Sequence, residues 1–201
     1  MNQPNEYKTF LTRVFNRYAT VSNDSISSLF STVKIHDLKK GTALLPFGKI
    51  SKHVHVLYKG AVVSCFLHKD GTVYHKNIFL PESFVGSVVS SLTNTPSQFS
   101  LEVIEDSTVI SFPYDTYRQL IREKQDLQNF YIAYLEKNWV IDKEKREIDI
   151  VLKEAKERYL DFVNANPNIE NRIPLHYIAS HLGITPTQLS RIRKNIKKTS
   201  S

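Results

Sequence analysis

The chain has 201 residues, 41% of them apolar and 23% charged, enough to bury one larger or two smaller cores. A single cysteine, Cys65, excludes an internal disulfide framework and any multi-cysteine zinc or iron–sulfur site. The net charge of +7 is concentrated at one end: residues 171–201 carry Arg172, Arg191, Arg193, Lys194, Lys197 and Lys198 and no acid, which leaves +1 for the rest. That distribution suits a polyanionic partner, or else a solvated basic tail.

No apolar run approaches the roughly 20 residues of a membrane span. Met1 to Glu6 lack the basic-then-apolar order of a secretory signal. The expected setting is therefore the cytoplasm, with no membrane partner.

Along the chain, Phe10, Leu11, Val14, Phe15 and Tyr18 recur at the spacing of an amphipathic helix between about Tyr7 and Phe30. From about Val33 to Phe112 short apolar runs take over: Thr42–Leu45, His53–Tyr58, Ala61–Leu67, Thr72–Leu80 and Thr108–Phe112. Gly41, Gly48, Gly60, Asp70-Gly71 and Pro81 punctuate them. Short strands with turn residues between them predict an antiparallel roll, and Asp70-Gly71 predicts a tight hairpin.

After Pro113 glycine is absent until Gly183. A long helix is predicted from about Asp126 to Leu152, with Leu127, Tyr131, Tyr134, Asn138, Ile141 and Ile148 in one stripe. Such a seam fits a second copy of the helix or the roll of its own subunit. A shorter helix follows over Ala155–Val163.

The last segment carries the most specific pattern. Pro174 suits a helix's first turn, Leu175, Ile178, Ala179 and Leu182 form an apolar face, and Gly183 supplies a left-handed stop. Thr185 then caps a second helix with Pro186 at its first position and Gln188 placed for a capping box. Leu189, Ile192 and Ile196 form its inner side. Two short helices about a glycine turn make a helix-turn-helix, spanning Leu175 to Ile196. The outward candidates for DNA contact are Thr185, Pro186, Thr187, Gln188, Ser190, Arg191 and Lys194, flanked by Arg193 and Lys197. A helical hairpin that serves only packing is the alternative.

His55-Val56-Leu57-Tyr58-Lys59-Gly60, Phe84-Val85-Gly86, Ile104-Glu105-Asp106-Ser107 and Ile178 through Ile196 together resemble the Crp/Fnr family of bacterial transcription regulators. The likeness covers nearly the whole chain, and Leu189-Ser190-Arg191-Ile192 is similar to the family's recognition-helix core. The resemblance implies an α+β protein in three parts. A cyclic-nucleotide-binding-like jelly roll spans 1–125, a long dimerisation helix and linker 126–152, and an all-α helix-turn-helix domain 153–201. It also implies a homodimer on a near-palindromic double-stranded DNA operator and contact with RNA polymerase.

The departures from the family are specific. Cyclic-nucleotide-binding members place a Glu after the glycine of the Phe-x-Gly turn, where this chain has Ser87. They place an Arg a little downstream, where this chain reads Pro96-Ser97-Gln98-Phe99. Without the ribose acceptor and the phosphate countercharge, no useful cAMP or cGMP affinity is expected. The roll then holds another small-molecule effector near Phe84, Gly86, Ser87, Ser97 and Gln98, or none. Pro186 and Thr187 stand where better-known members place charged base-reading side chains, and no full β-wing is expected after Ile196.

Three other readings remain open. His53-Val54-His55 resembles the start of a cupin metal motif, so a metal-dependent enzyme is the first, although the following Leu57 to Gly60 supply no Glu. Haem sensing through His53, His55, His68 or His75 is the second, with oxidant sensing by Cys65 beside it. A protein-binding adaptor is the third. The main expectation is a non-enzymatic regulator with no metal and no cofactor.

Overall fold

Strands and helices segregate along the chain as the change in hydrophobic period requires. The computed structural model describes residues 3–67, 71 and 73–199. Helix α1 (Gln3–Asn16) and α2 (Asn23–Phe30) precede six strands: β1 (Lys34–Leu38), β2 (Ala43–Leu45), β3 (His53–Leu67), β4 (Val73–Phe79), β5 (Phe84–Val85) and β6 (Ser100–Pro113). A short helix α3 (Val88–Thr93) separates β5 from β6.

The sheet runs β1-β6-β3-β4, all antiparallel, with β2 added to β6 and β5 to β3. β3 and β6 are paired from His53↔Pro113 to Cys65↔Ser100. Both are buried over long continuous stretches, as two-sided burial of an apolar run demands.

The sequence expectation of two strands broken at Gly60 is replaced by one strand passing through it. Gly60 sits at a register shift with φ of 94°. A Cβ there would overlap Ser107 Oγ and the backbone of Asp106 and Ser107. Glycine thus bends the strand without ending it. The reversal from β3 to β4 falls between Leu67 and Val73. Asp70, Thr72 and His68 lie outside the described residues, whereas Gly71 has the positive φ, 86°, that the hairpin expectation assigned to it.

The stretch expected as one helix to Phe30 is two helices, because Ser22 caps the second by accepting from the Ser25 amide. Phe10, Leu11, Val14 and Phe15 are buried as their spacing foretold. They pack with Val56, Ile110, Phe112, Tyr117, Ile121, Leu127 and Phe130.

Six further helical stretches complete the chain: α4 (Tyr114–Glu123), α5 (Gln125–Leu135), α6 (Asp142–Leu152), α7 (Ala155–Ala165), α8 (Ile169–Arg172) and α9 (Leu175–His181), followed by α10 (Pro186–Thr199). A π-helical turn over Glu136–Ile141 joins α5 to α6. This turn alters the predicted stripe, because its extra residue rotates everything after it relative to everything before. Leu127 is fully buried inside its own subunit, and Tyr131 and Tyr134 pack on the same core. Phe15 stacks on Phe130 with ring centroids 4.2 Å apart, a core contact the stripe omitted. Leu127 is therefore corrected from a dimer contact to an intrachain one. Asn138 is half-buried and donates to the Tyr134 carbonyl across the π turn, while Ile141 and Ile148 are exposed. Ile132, Trp139, Val140, Ile150, Val151 and Leu152 are exposed with them.

Among the described residues, no helix is long and apolar enough to cross a membrane.

Candidate functional site

The basic C-terminal module is built about Gly183. Its φ of 71° turns the chain, its amide donates to Ser180 O, and the Ile184 amide donates to Ala179 O. A residue with Cβ is strained at that φ, so glycine is required. Thr185 N donates to Gln188 Oε1 at 2.8 Å, and Gln188 N donates to Thr185 Oγ1 at 3.1 Å. This is the reciprocal capping box read from the sequence. Ile178 and Ala179 are fully buried and Leu189 nearly so, with Ile192 and Ile196 packed beside them.

The opposite face of α10 is open. Thr185, Pro186, Thr187, Gln188, Ser190, Arg191, Lys194 and Lys197 are all exposed. Arg193 departs from its expected role: its Nε meets Glu170 Oε1 at 2.6 Å, and the side chain is half-buried. Glu170 also accepts from Tyr159 Oη at 2.5 Å. Arg193 thus ties α10 to α8 and α7. Gln188 is exposed, but its amide oxygen is engaged in the cap.

The module is fastened to the roll by α9. The His75 amide donates to Ser180 Oγ at 2.8 Å, and His181 Nδ1 bonds the Lys76 carbonyl at 2.9 Å. The His75 and Tyr177 rings meet edge-on at 4.6 Å. Arg172 bridges to Glu105 at 2.8 Å. Ala61, Val63, Cys65 and Ile104 of the sheet share one core with Ile169, Ile173, Ile178 and Ala179. Burial holds the pKa of both His181 and His75 below the ordinary imidazole value.

A second feature lies where the sheet meets α3, α4 and α5. A cavity of about 160 Å³ is lined by Phe66, Phe79, Phe84, Phe99, Tyr114, Tyr117, Tyr131, Tyr134 and Trp139, with Val54, Val85, Val88, Val89 and Leu135. Ser64, Lys76, Asn77, His53, Ser91 and Gly86 complete it. Two expected effector residues, Phe84 and Gly86, line this cavity. The other three do not. Ser87 and Ser97 are buried instead: Ser97 Oγ lies within hydrogen-bond distance of Ser87 Oγ, at 3.0 Å, and of the Phe99 carbonyl, at 2.8 Å. Gln98 is exposed and takes no part in the lining.

The histidine pair behaves as structure. His55 is buried, bonds Ser111 Oγ at 2.7 Å through Nδ1, and has its pKa lowered to about 3 by burial and by the nearby His53 and His36. It is neutral at any physiological pH. Among the described residues, no three His, Cys, Asp or Glu side chains gather as a metal site. Cys65 is buried, and desolvation with the nearby Glu102 pushes its thiol up to about 12. A thiol so protonated is a poor nucleophile and a poor oxidant sensor.

Residues 35–124 match the cyclic nucleotide-binding domain family. That stretch covers β1 through α4. No curated protein matches the chain in sequence. Among solved structures, a putative cAMP-binding regulatory protein from Silicibacter pomeroyi is 19% identical, with a TM-score of 0.71 over 95% of this chain and 87% of that one. The c-di-GMP-responsive global regulator CLP of Xanthomonas campestris is 12% identical, with a TM-score of 0.68 over 89% and 93%. FixK2 from Bradyrhizobium japonicum is 16% identical, with a TM-score of 0.67 over 84% and 86%. At these identities the likeness establishes the fold, and it extends through the C-terminal helices. The jelly-roll class expected from the sequence is therefore present, with helices flanking it.

Sequence reasoning missed Ser180, His181 and Glu170, which anchor the module, and Tyr114, Asn77 and Trp139, which face the cavity. Nothing local marks them, because Glu170 meets Tyr159, Ser180 meets His75 and His181 meets Lys76 only across the fold, and the cavity is walled by separate elements.

Proposed function

We propose that this chain is a homodimeric, sequence-specific DNA-binding regulator of transcription, with α9 and α10 as its helix-turn-helix and α10 as the recognition helix. The observation that carries the reading is the exposed, acid-free face of α10, oriented by a capped glycine turn. Thr187, Ser190, Arg191 and Lys194 occupy that face, and Lys197 extends it. A helix of this diameter enters the B-DNA major groove and reads base edges with residues of its N-terminal half. Thr185, Pro186 and Gln188 shape the entry of the helix. Arg193 supports the module through Glu170 rather than touching DNA.

The homodimer is supported by the apolar side chains of α6 and the π turn, among them Ile141, Ile148 and Val151, which a monomer leaves in water. Two recognition helices about one helical turn apart then require a near-palindromic operator. Residues 1–125 serve as the sensor, 126–152 as the dimerisation element and 153–201 as the DNA-binding unit, and RNA polymerase is the partner through which transcription changes.

The roll is not a cyclic nucleotide receptor in this reading. Ser87 stands where the family's Glu would grip ribose, and Ser97, in the stretch that lacks the family's phosphate-gripping Arg, bonds it. The reading rests on no metal or enzymatic chemistry.

The decisive measurement is a mobility-shift series on operator and unrelated duplex at several salt concentrations. Affinity should fall steeply with salt, as counterion release requires. Arg191→Ala should cost about 1–3 kcal/mol on the operator and narrow its preference over unrelated DNA. Lys197→Ala should weaken both duplexes alike. Equal behaviour of the two variants, or binding indifferent to salt, would refute the assignment of α10.

A further inference from the structure

We propose that the cavity between β4, α3, the start of α4 and the end of α5 is a binding site for a small planar aromatic molecule bearing one oxygen acceptor, which Tyr114 fixes by donating its hydroxyl proton. Three observations converge on this class. The cavity, at about 160 Å³, is close to the roughly 150 Å³ engineered cavity that takes up benzene. Its walls are dominated by rings, including Phe79, Phe84, Tyr131, Tyr134 and Trp139, which favour a planar guest through offset and edge contacts.

The third observation is an unmet need. Tyr114 lines the cavity, and its hydroxyl is shielded from solvent with no hydrogen-bond partner. A buried donor without an acceptor costs about 1–3 kcal/mol, which an occupant with a carbonyl or ether oxygen would restore. No cation is needed to hold such a ligand.

The same strand that walls the cavity also holds the C-terminal module. Lys76 and Asn77 of β4 line the cavity, while the Lys76 carbonyl and the His75 amide grip α9. Asn77 Oδ1 also accepts from Arg146 of α6 at 2.9 Å. A ligand that shifts β4 would act on both helices. This consequence rests on the regulator reading; binding itself does not.

The chain's single tryptophan, Trp139, lines the cavity and reports on it. Titration of the full chain with acetophenone, ethylbenzene and cAMP should show a saturable change in Trp139 emission for the first two and none for cAMP. Tyr114→Phe should weaken acetophenone by about 2- to 12-fold, the worth of one neutral hydrogen bond, and leave ethylbenzene unchanged. The retained ethylbenzene response shows that the variant is folded. A linear, unsaturable loss of emission with both aromatics means collision alone and overturns the site. Saturable cAMP binding overturns the ligand class. Equal weakening of both aromatics overturns the role of Tyr114. Salt-dependent operator binding with no aromatic binding would sink this inference only, whereas aromatic binding without DNA binding would sink only the regulator reading.

Discussion

Helices α9 and α10 meet at one turn and share one core, yet they are used in opposite ways. α9 gives one side to α10 and the other to β4, through Tyr177, Ser180 and His181. α10 gives its inner side to the module and leaves Thr187, Ser190, Arg191 and Lys194 in water. Composition explains the division. α9 has no side chain of fixed charge, so docking it on the sheet desolvates no ion, and its Ser180 and His181 side chains find partners there. α10 carries five Arg and Lys residues, whose burial without counter-charges would cost several kcal/mol each. Charge density thus decides which helix becomes an anchor and which a reading surface. Arg193 bears this out from the other side, since it turns inward only where Glu170 meets it.

The largest test of this contrast removes what both helices share. Leu189→Ala should lower stability by about 2–5 kcal/mol, because a nearly fully buried side chain leaves a cavity between them. Chemical denaturation would measure it, and a loss below 1 kcal/mol would mean the helices do not depend on a common core. Ser180→Ala addresses the anchor alone. It deprives the His75 amide of its acceptor, and about 1–3 kcal/mol should be lost from the docking of α9 on β4. Faster hydrogen exchange at His75, with α10 amides unchanged, is the expected signature.

Thr185→Ala addresses the reading helix alone. Loss of the cap should cost about 1 kcal/mol and leave the Gln188 backbone N–H without the Thr185 Oγ1 that accepts from it. Faster exchange in the first turn of α10 would report it.

The smallest effect concerns pH. His75 and His181 titrate below the ordinary imidazole value of 6.5, both chiefly because burial disfavours the charged ring. The unfolded chain therefore binds protons that the docked form refuses. Their contribution is complete above pH 6.5 and is lost as pH falls through their lower folded values. Thermal unfolding between pH 7 and 5 should shift downward more gently in His181→Gln than in the parent chain. A parallel shift would place the acid sensitivity elsewhere, with His55 as the next residue to test.

Much of the C-terminal module was legible in the sequence because its determinants are local. Gly183, the Thr185–Gln188 box and the Ile178, Ala179 and Leu189 face act within about one or two helical turns, and side-chain spacing alone expresses them. The apolar runs of the roll and the face of α1 were legible for the same reason. The long-helix seam was not, because it joins two different surfaces: Leu127 turns to Phe15 and the sheet, while Ile141 and Ile148 turn to water beyond a π turn that spacing does not announce.

By itself the sequence determined where the last two helices turn and cap, which faces are apolar, and that positive charge gathers at one end. Those features depend on backbone sterics, capping and side-chain period over a few neighbours. Only the tertiary structure decided that Ser87 and Ser97 bond one another, that Arg193 belongs to Glu170, that β4 carries α9 on its backbone, and that Tyr114 faces an aromatic cavity without a partner. Each of these joins segments that meet only once the chain has folded, which no local pattern records.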